Sequence, residues 1–193
     1  MMKKKPLILI GAGGHAKSCI DIIENQNKYH IFGIIDKSNK KNFMGYKVLG
    51  NDKKLEFYSK KIKDIVIAIG QIKNFEKRFE IFKKCKTLGF RLPIIKSKNS
   101  YISKNVIIGE GTLIFHNVII NSQAKIGKNC IINTRSLIEH DVEIGNNCHI
   151  STGSILNGSA KVGDNSFIGS GTVVSHSVKI KAKSFIKFGS RIF

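Results

Sequence analysis

Residues 126–150 read IGKNCIINTRSLIEHDVEIGNNCHI, and an aliphatic residue recurs at every sixth position: Ile126, Ile132, Ile138, Ile144, Ile150. The same step carried back to Ile102 and forward to Ile192 meets only Ile, Leu or Val. A second ladder starts four residues later, at Val106, and runs through Val118, Ala124, Cys130, Ser136, Cys148, Ser154 and Ala160 to Ser190. Its members are all small or β-branched. A helix repeats every 3.6 residues and a half-buried strand every two, so neither gives a double ladder of period six. Hexapeptide periodicity is the signature of a parallel β-helix. Three hexapeptides complete one coil, so residues eighteen apart stack. The aliphatic residues fill the inside, the small ones sit where the corners leave little room, and each coil covers the strand edges of its neighbour.

The repeat occupies residues 98–193. Residues 1–97 alternate strand and helix signals: strands at 6–10, 29–35, 64–69 and 90–95, helices at 17–27, 53–58 and 74–88. Such an order predicts a parallel sheet with helices packed on it, a Rossmann-like α/β domain. Residues 93–103 are expected to connect the two domains, with Pro93 bending the chain out of the sheet and polar residues 96–100 carrying no strand signal.

The formal net charge is +20. It is uneven, with 23 Lys and Arg against 8 Asp and Glu in residues 1–98, and 10 against 5 in the remainder. The lysines are scattered without interleaved aromatics, which reads as a solvated surface that also attracts anionic small molecules; a nucleic-acid partner is not expected. No apolar run is long enough for a membrane span. The start, Met1 to Lys5, is basic, but the apolar run Pro6 to Ile10 is too short for a signal peptide, so a cytoplasmic protein is expected. The cysteines, Cys19, Cys85, Cys130 and Cys148, show no metal-binding spacing. Cys130 and Cys148, eighteen apart, should stack as reduced thiols. Cys85, on a polar helix, reads as incidental.

Two places could carry chemistry. The first is Gly11-Ala12-Gly13-Gly14-His15-Ala16, a G-x-G-x-x-A turn between a strand and a helix, with Asp36 ending the next strand. Glycines there let a backbone approach a pyrophosphate on the helix N-terminus, and the acidic residue suits a ribose hydroxyl. The domain is too short for both lobes of a dinucleotide fold, so one nucleotide diphosphate fits better than NAD.

The second is on the coil, where His116, His140, His149 and His176 are candidates. His140 and His176 are two coils apart on one face, roughly 10 Å at the spacing of parallel strands. Gly158 is stacked between them and should leave a flat spot beside His140. His116 falls on another face. His140 lies in Glu139-His140-Asp141, where a neighbouring carboxylate stabilises the imidazolium and makes the ring a better general base. No serine or cysteine triad accompanies it, so the nucleophile would be a substrate amine or hydroxyl.

GAGGHA at 11–16, IID at 34–36, AIG at 68–70, NTRSLIEHD at 133–141 and HISTGSILNG at 149–158 resemble the NeuD/PglD-type sugar acetyltransferases of the hexapeptide-repeat superfamily, over nearly the whole chain. The resemblance implies a left-handed β-helix, a homotrimer with its active sites between adjacent coils, and direct acetyl transfer from acetyl-CoA to a UDP-linked 4-amino-6-deoxy sugar, with no metal. It assigns the nucleotide sugar to Gly13, Gly14, His15, Asp36, Lys37 and Gly70, with Asn133 placing the substrate. It gives His140 the role of base and Asp141 that of its acidic partner. It places acetyl-CoA along His149, Gly158, Ser170, Phe188 and Gly189, with backbone N–H groups or His149 facing the oxyanion. O-acetylation of a sialic-acid-like sugar stays open, because one histidine base serves amine and hydroxyl alike. So do a trimeric three-histidine zinc enzyme and a coil that only binds a nucleotide sugar. The final rungs depart from the pattern, reading Ile180-Lys181 and Ile186-Lys187 where a glycine follows Ile108, Ile126, Ile144, Val162 and Ile168, and the proline-containing tail frequent in such enzymes is not seen.

Overall fold

The computed structural model describes residues 4–193, so the first residues of the basic start fall outside the description. Two compact units result. One comprises the chain up to Gly70 together with Glu76–Pro93; the other comprises Gln71–Phe75 and Ile94–Phe193.

The first unit is an α/β layer. Strands β1 (Lys5–Ile10), β2 (Tyr29–Ile35), β3 (Asn42–Phe43), β4 (Tyr46–Gly50) and β5 (Asp64–Ile67) form one sheet in the order β3-β4-β2-β1-β5. Helices α1 (Gly14–Gln26), α2 (Leu55–Ser59) and α3 (Glu76–Thr87) complete it. β1 is central, and its Leu7–Ile10 core is buried on both faces, which explains an unbroken apolar run in place of alternation. All pairings are parallel except β3 with β4. The sequence pattern does not announce that hairpin. Its turn, Met44-Gly45, has positive φ at both residues (48° and 82°), which matches the twist of the strands but is unusual for methionine. The strand expected at 90–95 is reduced to a single bridge between Asp64 and Arg91, because Pro93 has no N–H for a ladder. Cys85 is not incidental: it is fully buried in the core with Ile8, Ile67 and Phe90.

The second unit is a left-handed parallel β-helix of two-residue strands. Its strands form three parallel sheets with partners eighteen residues apart, such as Ile119 with Leu137 and Leu137 with Ile155. Both ladders point inward and make one continuous core. The expected connection at 93–103 is itself part of the coil, since Ile95–Lys96 and Tyr101–Ile102 are strands paired with Leu113–Ile114 and Ile119–Ile120. In so short a strand the backbone ladder decides, and its polar side chains point outward.

The small ladder does more than fit. Its hydroxyls and thiols donate to the carbonyl fifteen residues ahead: Thr112 to Gly127, Cys130 to Gly145, Ser136 to Ser151, Ser154 to Gly169. Each bond satisfies a buried corner carbonyl of the next coil, which would otherwise be a costly orphan. Cys130 and Cys148 are free thiols in this role. The hydrogen bond with Cys130, then burial, pushes the Cys148 thiol far above its ordinary range, so it is inert.

A third ladder of period six is conformational. Asn117, Gln123, Asn129, Arg135, Asp141, Asn147, Ser159, Asn165, Ser177 and Lys183 all have φ between 54° and 65°. From Asn129 on, their N–H groups tie each turn to the coil before, as Arg135 does to His116 O and Asp141 to Ser122 O.

Candidate functional site

In the α/β unit the glycine turn lies between β1 and α1. Gly11 is left-handed at φ 108°, and a Cβ there would meet Ala68 O at 3.1 Å, so glycine is required. Gly13 is the N-cap of α1 and offers no side-chain cap, which leaves the first N–H groups of the helix open to an anion. A Cβ on Gly13 or Gly14 would meet nothing within 4 Å; their open surroundings leave room for a ligand's approach. Gly70 packs on His15, and a Cβ on Gly70 would lie 3.4 Å from that of His15.

Asp36 ends β2, as expected, and both its oxygens are engaged: Oδ2 accepts from Ala12 N at 2.9 Å and Oδ1 from Ser38 N at 2.8 Å. Partial burial would raise its pKa, but the bonds from Ser38 and Ala12 and the charge of Lys40 outweigh burial and hold it below the ordinary carboxylate range. Asp36 therefore also fixes the glycine turn. Beside it is a small cleft lined by Gly11, Lys37, Asp52 and Lys77. Arg78, buried, donates to Ile67 O and Ile69 O and so orders the end of β5 just before Gly70. Lys77 and Arg78 carry no signal of these roles, because on a helix rich in lysine nothing in the sequence separates a surface cation from an inward one.

On the coil, His140 Nδ1 lies 2.8 Å from Asp141 Oδ2, with both side chains about half exposed (55% and 54%). Asp141 sits on the left-handed ladder at φ 59°, a conformation that aspartate tolerates, and the turn swings its short side chain back onto the preceding histidine. The carboxylate only accepts, so Nδ1 of His140 carries the proton and Nε2 presents a lone pair. Glu139 does not share this task; it accepts from Asn121 Nδ2 at 2.9 Å. Gly158 is stacked beside His140, but the spot is not flat. A Cβ on Gly158 would lie 2.7 Å from His140 Cε1 and Nε2, and 3.2 Å from His176 Nδ1. Both rings lean over the glycine, and their centroids are 6.5 Å apart, closer than the rung spacing implies.

His149 and Asn133 form a second group on a different sheet. His149 is buried and donates from Nδ1 to the backbone carbonyl of Gln71, whose own amide donates to Asn147 O at 2.6 Å. Asn133 Oδ1 accepts from Thr134 N at 2.8 Å, which turns Nδ2 toward His149 Nε2, 3.4 Å away. With the proton on Nδ1, a neutral His149 has no N–H left at Nε2. It is therefore an acceptor at Nε2, and only a second proton on the ring would let it donate there. Gln71 follows Gly70 directly and carries no sequence signal of this contact.

Ser170 bonds to Ser151 through their hydroxyls at 2.8 Å. Phe188 is 80% exposed, and Gly189, left-handed at φ 68°, ties its N–H to Ser170 O. The glycines at 163 and 169 have a packing reason. A Cβ on Gly163 would strike Ala182 N at 2.4 Å, and one on Gly169 would strike Phe188 N at 2.4 Å.

Residues 6–85 match the PglD N-terminal domain family, and residues 94–187 match the GMPPB C-terminal domain. No curated protein matches the chain by sequence. Among solved structures, the chain is similar to perosamine N-acetyltransferase from Caulobacter crescentus, solved as a histidine-to-asparagine variant in complex with CoA and GDP-perosamine; the two are 28% identical over 97% of this chain and 88% of that one, with a TM-score of 0.92. It is similar as well to the acetyltransferase domain of PglB from Neisseria gonorrhoeae FA1090, at 25% identity, 98% and 92% coverage and a TM-score of 0.90. WeeI from Acinetobacter baumannii AYE shares the fold at 23% identity, 98% and 94% coverage and a TM-score of 0.75. A PglD-type N-terminal domain joined to a hexapeptide coil defines a class, the hexapeptide-repeat acetyltransferases. Within that class, the chain is similar over nearly its whole length to sugar N-acetyltransferases, and its N-terminal residues match a PglD-type domain.

Proposed function

We propose that this protein transfers an acetyl group from acetyl-CoA directly to the amine of a nucleotide-linked amino sugar, with His140 as general base. The observation that carries this reading is His140 itself. Its Nδ1 is held by Asp141, its ring leans over Gly158 on an exposed coil face, and among the described residues no serine or cysteine is hydrogen-bonded to it. Such a base needs a substrate nucleophile. The amine attacks the thioester carbonyl, the N–C bond forms, and the amine proton passes to Nε2 while Asp141 stabilises the imidazolium. The tetrahedral intermediate collapses, the C–S bond breaks, and the thiolate leaves as the thiol after taking a proton.

The relatives support acyl transfer to a sugar. The Caulobacter enzyme holds CoA and GDP-perosamine, and the Neisseria domain holds acetyl-CoA. For this chain the open N-terminus of α1, with Lys37 and Lys77 at the neighbouring cleft, suits a nucleoside diphosphate. The site is proposed to be completed in a homotrimer, as the family resemblance implies.

The test is thiol release from acetyl-CoA against UDP- and GDP-linked amino sugars and free sialic acid, with the product weighed by mass spectrometry. Release with an amino sugar, together with an N-acetylated product, is expected, and the two nucleotide arms decide between uridine and guanosine. Release with sialic acid alone transfers the reading to O-acetylation; no release with any acceptor overturns it. A second result follows from the Asp141 contact. Asp141→Asn keeps a residue suited to the left-handed turn, so the fold should hold while kcat falls about tenfold to a hundredfold, the range covered by one charge-assisted hydrogen bond. Steady-state kinetics beside a thermal melt would separate the two effects.

A further inference from the structure

We infer that His176 is the second proton acceptor of this site, and that the two imidazoles flanking Gly158 both reach the substrate nitrogen. The inference rests on the acyl-transfer reading above. His176 belongs to the coil two turns beyond His140, and the resemblance assigns it nothing. Yet the same point above Gly158 lies 2.7 Å from His140 Nε2 and 3.2 Å from His176 Nδ1. The two nitrogens are thus no farther apart than the sum of those distances, a gap that two hydrogen bonds of about 2.9 Å bridge through one shared atom. Only glycine at 158 permits this, because any side chain would occupy the approach.

The proton balance gives the second imidazole a task. An aliphatic amine is mostly ammonium near neutral pH. The full reaction of an ammonium substrate with acetyl-CoA yields the amide, CoA thiol and one free proton. Two protons leave the nitrogen: one ends on the departing sulfur and the other in solvent. His140 holds one at a time, and its Nδ1 is committed to Asp141. His176 is exposed, and no hydrogen bond to another described residue fixes its tautomer, so it can accept at Nδ1 and release from Nε2 to water. The charged group on the pair is Asp141. Glu139 is turned onto Asn121, and the residues stacked eighteen before and after His140 are Ser122 and Gly158, neither of them charged.

The test is the pH profile of kcat/KM for wild type and His176→Gln. The wild-type to variant ratio should be about tenfold at about pH 6.5, where the amine arrives as ammonium, and should shrink as the pH rises toward the amine's own pKa, where a growing share arrives neutral. Added imidazole should restore part of the lost rate at the lower pH, which a purely structural role for His176 would not allow. A His176→Phe variant, which keeps a ring without nitrogens, should behave like the glutamine variant. A ratio constant across pH, or no loss at all, overturns the inference. An inactive wild type overturns the acyl-transfer reading and this inference with it, and is told apart because the wild type is measured first.

Discussion

Replacing His140 by alanine should lower the rate of CoA release from acetyl-CoA and amino sugar at least about a hundredfold, the usual loss of a general base. The loss should appear in kcat, with KM for acetyl-CoA little changed, because the proton transfer is made only as the tetrahedral intermediate forms. The melt should hardly move. His140 is about half exposed, and surface replacements stay within about 0.5 kcal/mol, which is about 1–2 °C for a chain of this size. The geometry makes the test sharp. Nδ1 is occupied by Asp141, so Nε2 is the nitrogen available to substrate, and Gly158 leaves its approach open. Kinetics on the purified variant would settle it. A rate within a few-fold of wild type would remove His140 from the mechanism, and Asp141 with it.

The β-helix was legible because its core is one-dimensional: each coil repeats the same inward positions, so a ladder of Ile is a direct image of the packing. The corners were legible only in part. Small residues signalled tight space, but not that Thr112, Cys130, Ser136 and Ser154 each donate to a carbonyl fifteen residues ahead. That pairing needs the handed path of the turn, which residue size does not encode. The left-handed ladder is hidden in the sequence for another reason. Asn is its commonest member, but Gln123, Arg135 and Lys183 also occupy it, and Arg135 and Lys183 are held by bonds to the coil before. Asp141 belongs to that ladder, and its bond to His140 is a product of turn geometry as much as of sequence adjacency. The phase of the repeat placed His140, Gly158 and His176 in one column correctly. It overestimated their separation, because rung spacing measures backbones while the rings lean over a residue without a Cβ. Gln71 was invisible for a plainer reason: it lies in a short segment outside the repeat and acts on His149 through its backbone carbonyl.

The largest effect on stability should come from Gly127→Ala. Gly109, Gly127, Gly145 and Gly163 form a stacked column, and a Cβ on Gly127 would come within 2.6 Å of Gly145 C and O and 2.7 Å of Asn146 N. Those are backbone atoms, so no rotamer relieves the clash. The next coil must move, and the bonds Gly127 N to Ile144 O and Gly145 N to Val162 O, both 2.8 Å, move with it. Each coil contacts only its neighbours, so the displacement has few other places to dissipate. Overpacking a well-packed interior costs about 1–3 kcal/mol, and a rigid backbone contact belongs at or above the top of that range. At about 3 kcal/mol the thermal midpoint should drop by about 6–12 °C. Gly153→Ala is the control. Gly153 is left-handed at φ 67°, but a Cβ there meets nothing within 4 Å, and serine, glutamine and lysine occupy equivalent corners. Its cost should be near the bare conformational penalty of about 1 kcal/mol, a shift of about 2–4 °C. Calorimetry of the two variants against wild type distinguishes space from conformation. Equal shifts would mean that the glycine column is not a packing requirement.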